Sequence, residues 1–111
     1  MEQIYNKLVR DKIPDKIKSN GETPITKVLN DEEFKTELEK KLLEEYNEVM
    51  NATGMDRLEE LADMLEVMKH LAKLENATLK DILKISEKKN EKRGSFEQKI
   101  FLEKVFDDNL E

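Results

Sequence analysis

The sequence predicts an all-α fold: an antiparallel bundle of about four helices, completed by oligomerisation, with short irregular or extended terminal segments. Three observations carry this. The chain holds only 3 Gly and 2 Pro and is rich in Glu, Lys and Leu, which are good helix formers. Two long stretches repeat their apolar residues with the helical period. Helix-capping residues stand where those stretches open. The length of 111 residues fits a single domain over 1–111. Charged residues make up 41% and hydrophobic residues 37%, which raises the question of disorder. Leu (14), Ile (7), Val (5) and Phe (4) nevertheless make 30 of 111 residues, above the roughly 20% below which highly charged chains tend not to fold. A core this thin suffices only if its apolar residues are well placed or if chains pair.

Tyr5 to Pro14 reads as a short irregular or helical opening. Pro14 suits the first turn of a short helix that ends near Gly21. Pro24 to Leu29 alternates weakly with period two and is expected to be extended. Asn30 with Glu33 forms a capping-box pattern that opens a long helix to about Asn51. Thr53-Gly54 breaks it. Thr53 with Asp56, or Asp56 with Glu59, starts a second long helix to about Glu75. Thr78 with Asp81 caps a third, which stops at Gly94. Ser95 to Val105 has an ambiguous period and is expected as strand or loop. Neither a long internal repeat nor a linker between domains is apparent.

Several function classes drop out. No apolar run approaches the ~20 residues of a membrane span, and Met1 to Tyr5 lacks the apolar region of a signal peptide. With no Cys there is neither a disulfide framework nor a thiolate zinc site. The expected setting is cytoplasmic, with no membrane partner. A net charge of −6 argues against nucleic acid as a general partner.

That charge is unevenly distributed. Residues 1–30 hold 6 basic and 4 acidic side chains, residues 31–75 hold 6 and 14, and residues 76–111 hold 8 and 8. An acidic centre of net −8 thus lies between segments of net +2 and 0. On a helical wheel of the first long helix, with Phe34 at 0°, Glu45 falls at about 20°, among Leu38, Val49 and Leu42 at about 40° to 80°. Glu48 lies on the edge of that arc, and Glu44 lies further toward solvent. On the second long helix, with Leu58 at 0°, Glu60 falls at about 200°, between Val67 and Leu71, and Asp63 at about 140°, beside Leu74. Each helix therefore carries an i,i+3 carboxylate pair with one member inside its apolar stripe.

Antiparallel packing across Thr53-Gly54 would bring four carboxylates together. Their mutual repulsion would raise their pKa values, and a divalent cation would relieve it. Oxygen-only ligands favour a hard ion, Mg²⁺ or Mn²⁺, which completes its coordination with water and phosphate. The alternative is that these acids form structural ion pairs, with Lys41 and Arg57 as the available cations. Basic residues at the flanks, Lys7, Arg10 and Lys12 and then Lys88, Lys89, Lys92 and Arg93, would suit a polyphosphate beside such a metal. Each of them taken singly reads as an ordinary surface cation. His70 is expected on the surface, and Met50, Met55, Met64 and Met68 as core fillers.

Glu44-Glu45-Tyr46-Asn47-Glu48 followed by Glu60-Leu61-Ala62-Asp63 has the form E-E-x-x-E … E-x-x-D. This resembles the metal-binding signature of the MazG-like all-α nucleoside triphosphate pyrophosphohydrolases. Tyr5 to Pro14 (YNKLVRDKIP) resembles the opening of a compact branch of that superfamily, and Lys89 to Phe96 (KNEKRGSF) its K-x-x-x-R-G-G-F segment. Ser95 departs from that pattern, standing in place of a second Gly. The resemblance spans nearly the whole chain.

The resemblance implies a helical fold that assembles at least as a homodimer. An apolar arc of roughly 240° on the second long helix agrees with this, being too wide for a small monomer's core. It further implies Mg²⁺, or Mn²⁺ in its place, held by the catalytic residues Glu45, Glu48, Glu60 and Asp63, with Glu44 peripheral. Lys7, Arg10, Lys12, Lys89 and Arg93 would neutralise substrate phosphates. The implied reaction is hydrolysis of an NTP or dNTP between the α and β phosphates, to nucleoside monophosphate and pyrophosphate. Glu45 is the expected general base. Two alternatives stand beside it: a phosphoribosyl-ATP pyrophosphohydrolase-like enzyme, and a non-catalytic helical interaction module.

Overall fold

The computed structural model describes residues 1–107, and among these the regular secondary structure is entirely helical. Four helices occur in order: α1 (Ile13–Ser19), α2 (Asp31–Asn51), α3 (Gly54–Leu74) and α4 (Leu79–Arg93). By internal contacts the chain divides into a unit Met1–Leu79 and a second unit from Lys80 onward.

In the first unit, α1 opens on Lys12 with Pro14 in its first turn, where the missing N–H costs nothing. It ends in a Schellman motif. The Glu22 N–H donates to the Ile17 carbonyl at 3.2 Å and the Gly21 N–H to that of Lys18 at 3.0 Å. Gly21 supplies the left-handed backbone (φ +85°) that this motif needs. Pro24 to Leu29 forms no regular element. Its expected extended conformation has no partner strand, and an isolated strand leaves its backbone groups unpaired.

At α2 the capping box is complete. The Glu33 N–H donates to Asn30 Oδ1 at 2.8 Å, and the Asn30 N–H donates to Glu33 Oε1 at 3.2 Å. α2 and α3 are each 21 residues long. The two residues between them, Ala52 and Thr53, force the helices to run antiparallel as they pack together. The start of α3 differs from the expectation in its chemistry. Thr53 occupies the N-cap position, but its side chain makes no capping hydrogen bond. The reversal rests on Gly54 at φ +60°, a conformation disfavoured for residues with a Cβ. α3 closes in a second Schellman motif, with Asn76 in the left-handed position (φ +58°) and the Ala77 N–H donating to the Ala72 carbonyl at 3.0 Å.

The buried apolar core of the described residues is small: Leu38 and Val49 on α2, Val67 and Ala72 on α3. One expectation about packing is corrected here. Met50 and Met55 are exposed rather than core residues: Met50 falls on the face of α2 that carries exposed Leu43 and Tyr46, away from Leu38 and Val49, and Met55 stands in the first turn of α3. His70 is only part-exposed. Its ring meets that of Phe34 edge-on at 6.4 Å and its Nε2 donates to Glu66 Oε2 at 2.8 Å. The outer faces of the hairpin are apolar and exposed, with Leu43, Tyr46 and Met50 on α2 and Leu58, Leu61 and Leu65 on α3.

The second unit begins at Lys80 and holds α4 apart from its first residue, Leu79. α4 stops at Gly94 (φ +78°), whose N–H donates to the Asn90 carbonyl at 2.8 Å. Ser95 to Val105 contains neither helix nor strand, and Phe96, Ile100, Phe101, Leu102 and Val105 are exposed. No helix among the described residues is long and apolar enough to cross a membrane.

Candidate metal centre

The helical period turns Glu45 of α2 into the hairpin interior, where it is the one buried charged residue among the described residues. Glu60 and Asp63, one turn apart on α3, face it from the other helix. One carboxylate oxygen from each of the three lies within 4.8 Å of the others. That spacing lets three hard oxygen donors reach a single small cation without rebuilding the backbone, and the donor set suits Mg²⁺ or Mn²⁺.

The electrostatics fit such a cation. The Glu60 carboxyl is pushed above the ordinary glutamate range, first by desolvation and then by the negative charges of Glu45, Asp63 and Glu48. A hydrogen bond with Glu45 adds to the same effect by favouring the protonated form. Glu48 is exposed and stands outside the three-carboxylate group, yet its charge is felt at Glu60.

Cationic side chains surround the acids. Lys41 Nζ lies 3.5 Å from Glu45 Oε1 and 3.4 Å from Glu44 Oε1. Arg10 Nη2 donates to Asp63 Oδ1 at 2.7 Å. Lys7 Nζ approaches Glu44 Oε1 at 3.7 Å. Glu44 thus stands at the periphery, between two lysines. Of the two cations anticipated as structural partners, Lys41 takes that role, while Arg57 is in no ion pair among the described residues. Lys7 and Arg10, expected at phosphates, here contact carboxylates. Nothing in the sequence pattern signals the Arg10–Asp63 pair, since 53 positions separate its members. Lys12 is exposed at the start of α1. Lys89 and Arg93 belong to the second unit, where they line a shallow depression of α4 with Ile85, Lys88 and Lys92.

No family model matches the chain. No solved structure matches it either. A protein of Mycolicibacterium smegmatis described as uncharacterized is 43% identical to it over 49 residues. That alignment covers 44% of this chain and 50% of the other, so the chain spans about half the length of the curated relative it matches.

Proposed function

We propose that this chain is a Mg²⁺-dependent pyrophosphohydrolase of the MazG-like kind. Its substrate would be an NTP or dNTP, hydrolysed between the α and β phosphates to a nucleoside monophosphate and pyrophosphate. The observation that carries the reading is the convergence of Glu45, Glu60 and Asp63 oxygens within 4.8 Å across the two helices. Glu48, one turn beyond Glu45, extends the acidic set. These four side chains would hold Mg²⁺ or Mn²⁺, which supplies charge neutralisation at phosphate oxygens when bound. Glu45, the buried member of the set, would serve as the general base. Lys7, Arg10 and Lys12, all in the first unit, would bind the phosphates.

The exposed apolar residues of α2 and α3 support assembly as a homodimer. Leu58, Leu61 and Leu65 recur at i, i+3 and i+7 and so share one helix face. Such a stripe on a chain with so small a core is a surface for a second copy.

A second reading, a non-catalytic helical interaction module, is favoured by the ion pairs of Lys41 with Glu45 and of Arg10 with Asp63. One experiment separates the two. The chain is incubated with a panel of NTPs, dNTPs and phosphoribosyl-ATP in Mg²⁺ or Mn²⁺, and pyrophosphate is measured. Release from any of them supports the enzyme. No release, together with no metal-dependent change in melting temperature, leaves the interaction module.

A further inference from the structure

Residues 1–12 form a strap without helix or strand that contacts both helices of the hairpin. Arg10 reaches Asp63 on α3 and Lys7 reaches Glu44 on α2. The charge of Arg10 is also felt at Glu66, one turn beyond Asp63. Ile4, Tyr5 and Val9 are exposed, and Leu8 is the strap's half-buried apolar side chain. Beside Leu8, the strap is held by two part-exposed ion pairs of the kind that are individually weak.

One end of this attachment is an oxygen-bearing side chain of the candidate metal centre. We infer that the strap is the metal centre's internal counter-ion: Arg10 neutralises Asp63 in the metal-free chain and leaves it when a divalent cation binds. The inference rests on the metal-centre reading above. A divalent ion among Glu45, Glu60 and Asp63 offsets two of their negative charges and competes with the guanidinium for the Asp63 oxygens, which weakens the attraction that holds Arg10 there. Arg10 is then free for an anionic ligand. Metal binding would in this way prepare the cationic side of the site, and phosphate affinity would follow metal occupancy.

The test uses binding and mobility and does not depend on turnover. Mg²⁺ is titrated calorimetrically into the wild-type chain, Arg10→Ala and Lys12→Ala. Lys12→Ala removes the same charge two positions away from a residue without an ion pair among the described residues. In parallel a nitroxide is placed on Gln3→Cys, which is the sole cysteine because the chain has none of its own. The expected result is Mg²⁺ binding about two- to fivefold tighter in Arg10→Ala than in wild type, the release of one exposed ion pair. Lys12→Ala should change it less, and Mg²⁺ should increase nitroxide mobility. Equal tightening by both variants, or unchanged mobility with Mg²⁺ bound, overturns the strap while leaving the metal centre standing. No Mg²⁺ uptake by wild type or by Arg10→Ala overturns both.

Discussion

The carboxylates of Glu45 and Glu60, carried by different helices, bring one oxygen each within 4.8 Å of the other, and the negative charge of Glu45 favours the protonated form of Glu60. Two acids at this distance are an unfavourable arrangement unless a proton, a lysine or a metal ion intervenes. The fold supplies Lys41 on the Glu45 side. On the Glu60 side no ion pair is formed among the described residues, so Glu60 is where a bound cation changes most.

Glu60→Gln keeps the shape of the side chain and removes one charge. Without divalent cation the variant is expected to melt no lower than wild type, since a repulsion is lost. With Mg²⁺ it should show no stabilisation, and pyrophosphate release should fall by about a hundredfold or more, the usual scale for loss of a positioned electrostatic group. Thermal melts with and without Mg²⁺, beside the pyrophosphate assay, check both halves. A variant that keeps both its Mg²⁺ response and its activity removes Glu60 from the site.

The pH dependence has a definite sign. The folded-state pKa of Glu60 lies above its unfolded value because of desolvation and then the charges of Glu45, Asp63 and Glu48. Its contribution to stability is therefore fully present below the ordinary glutamate range and is lost as pH rises through the elevated range. In the metal-free chain this group lowers the melting temperature across that interval. Mg²⁺ competes with the proton, so the Mg²⁺-induced rise in melting temperature should grow over the same interval. A pH-independent Mg²⁺ increment contradicts the assignment.

Glu66 behaves in the opposite way. Its carboxyl is held below the ordinary range by the hydrogen bond from His70, against a smaller opposing effect of desolvation, with further lowering by the charges of Lys69, His70 and Arg10. Its contribution is present above the unfolded glutamate value and is lost as pH falls through the depressed one. Because the pair is part-exposed, His70→Ala should cost only about 0.5 kcal/mol at neutral pH. The loss should vanish in acid, as seen by urea unfolding at two pH values.

The helical period made the centre of this molecule legible. It turned Glu45 and Glu60 inward because an apolar stripe commits a helix face, and the capping box at Asn30 and the breaker at Gly54 set the hairpin that brings the two together. Glu48, on the stripe's edge, shows the limit of a wheel: a position at the margin is settled by side-chain placement, which periodicity does not encode. The Arg10–Asp63 pair lies beyond sequence reading for a different reason. A surface ion pair between an irregular strap and a helix leaves no periodic trace. The Schellman turn at Asn76 was equally hidden, since Asn is a less common choice than Gly for that backbone.

The small core gives the next expectation. Leu38 is 3% exposed and is one of only four apolar residues buried among those described. Leu38→Ala should therefore cost about 2–4 kcal/mol, a large part of the stability of a domain this size. Urea unfolding followed by circular dichroism measures it. A cost well under 1 kcal/mol would mean that burial in the hairpin does not limit stability.

Leu61→Asp probes the opposite surface and should behave differently. Leu61 is 43% exposed on the outer face of α3, between Leu58 and Leu65. In an isolated hairpin a charge there costs little, because the side chain already meets water. Between two copies the same charge would be desolvated without a partner, a penalty of several kcal/mol and enough to separate a dimer of ordinary affinity. The expected outcome is a sedimentation mass that falls from twice the chain mass to the chain mass of 13.1 kDa, with helicity retained. A wild-type chain that already sediments at that mass, or a variant that stays dimeric, rules out this face as the homodimer contact. Loss of helicity in the variant would instead show that the hairpin folds only as it pairs, which the concentration dependence of the wild-type melting temperature would reveal independently.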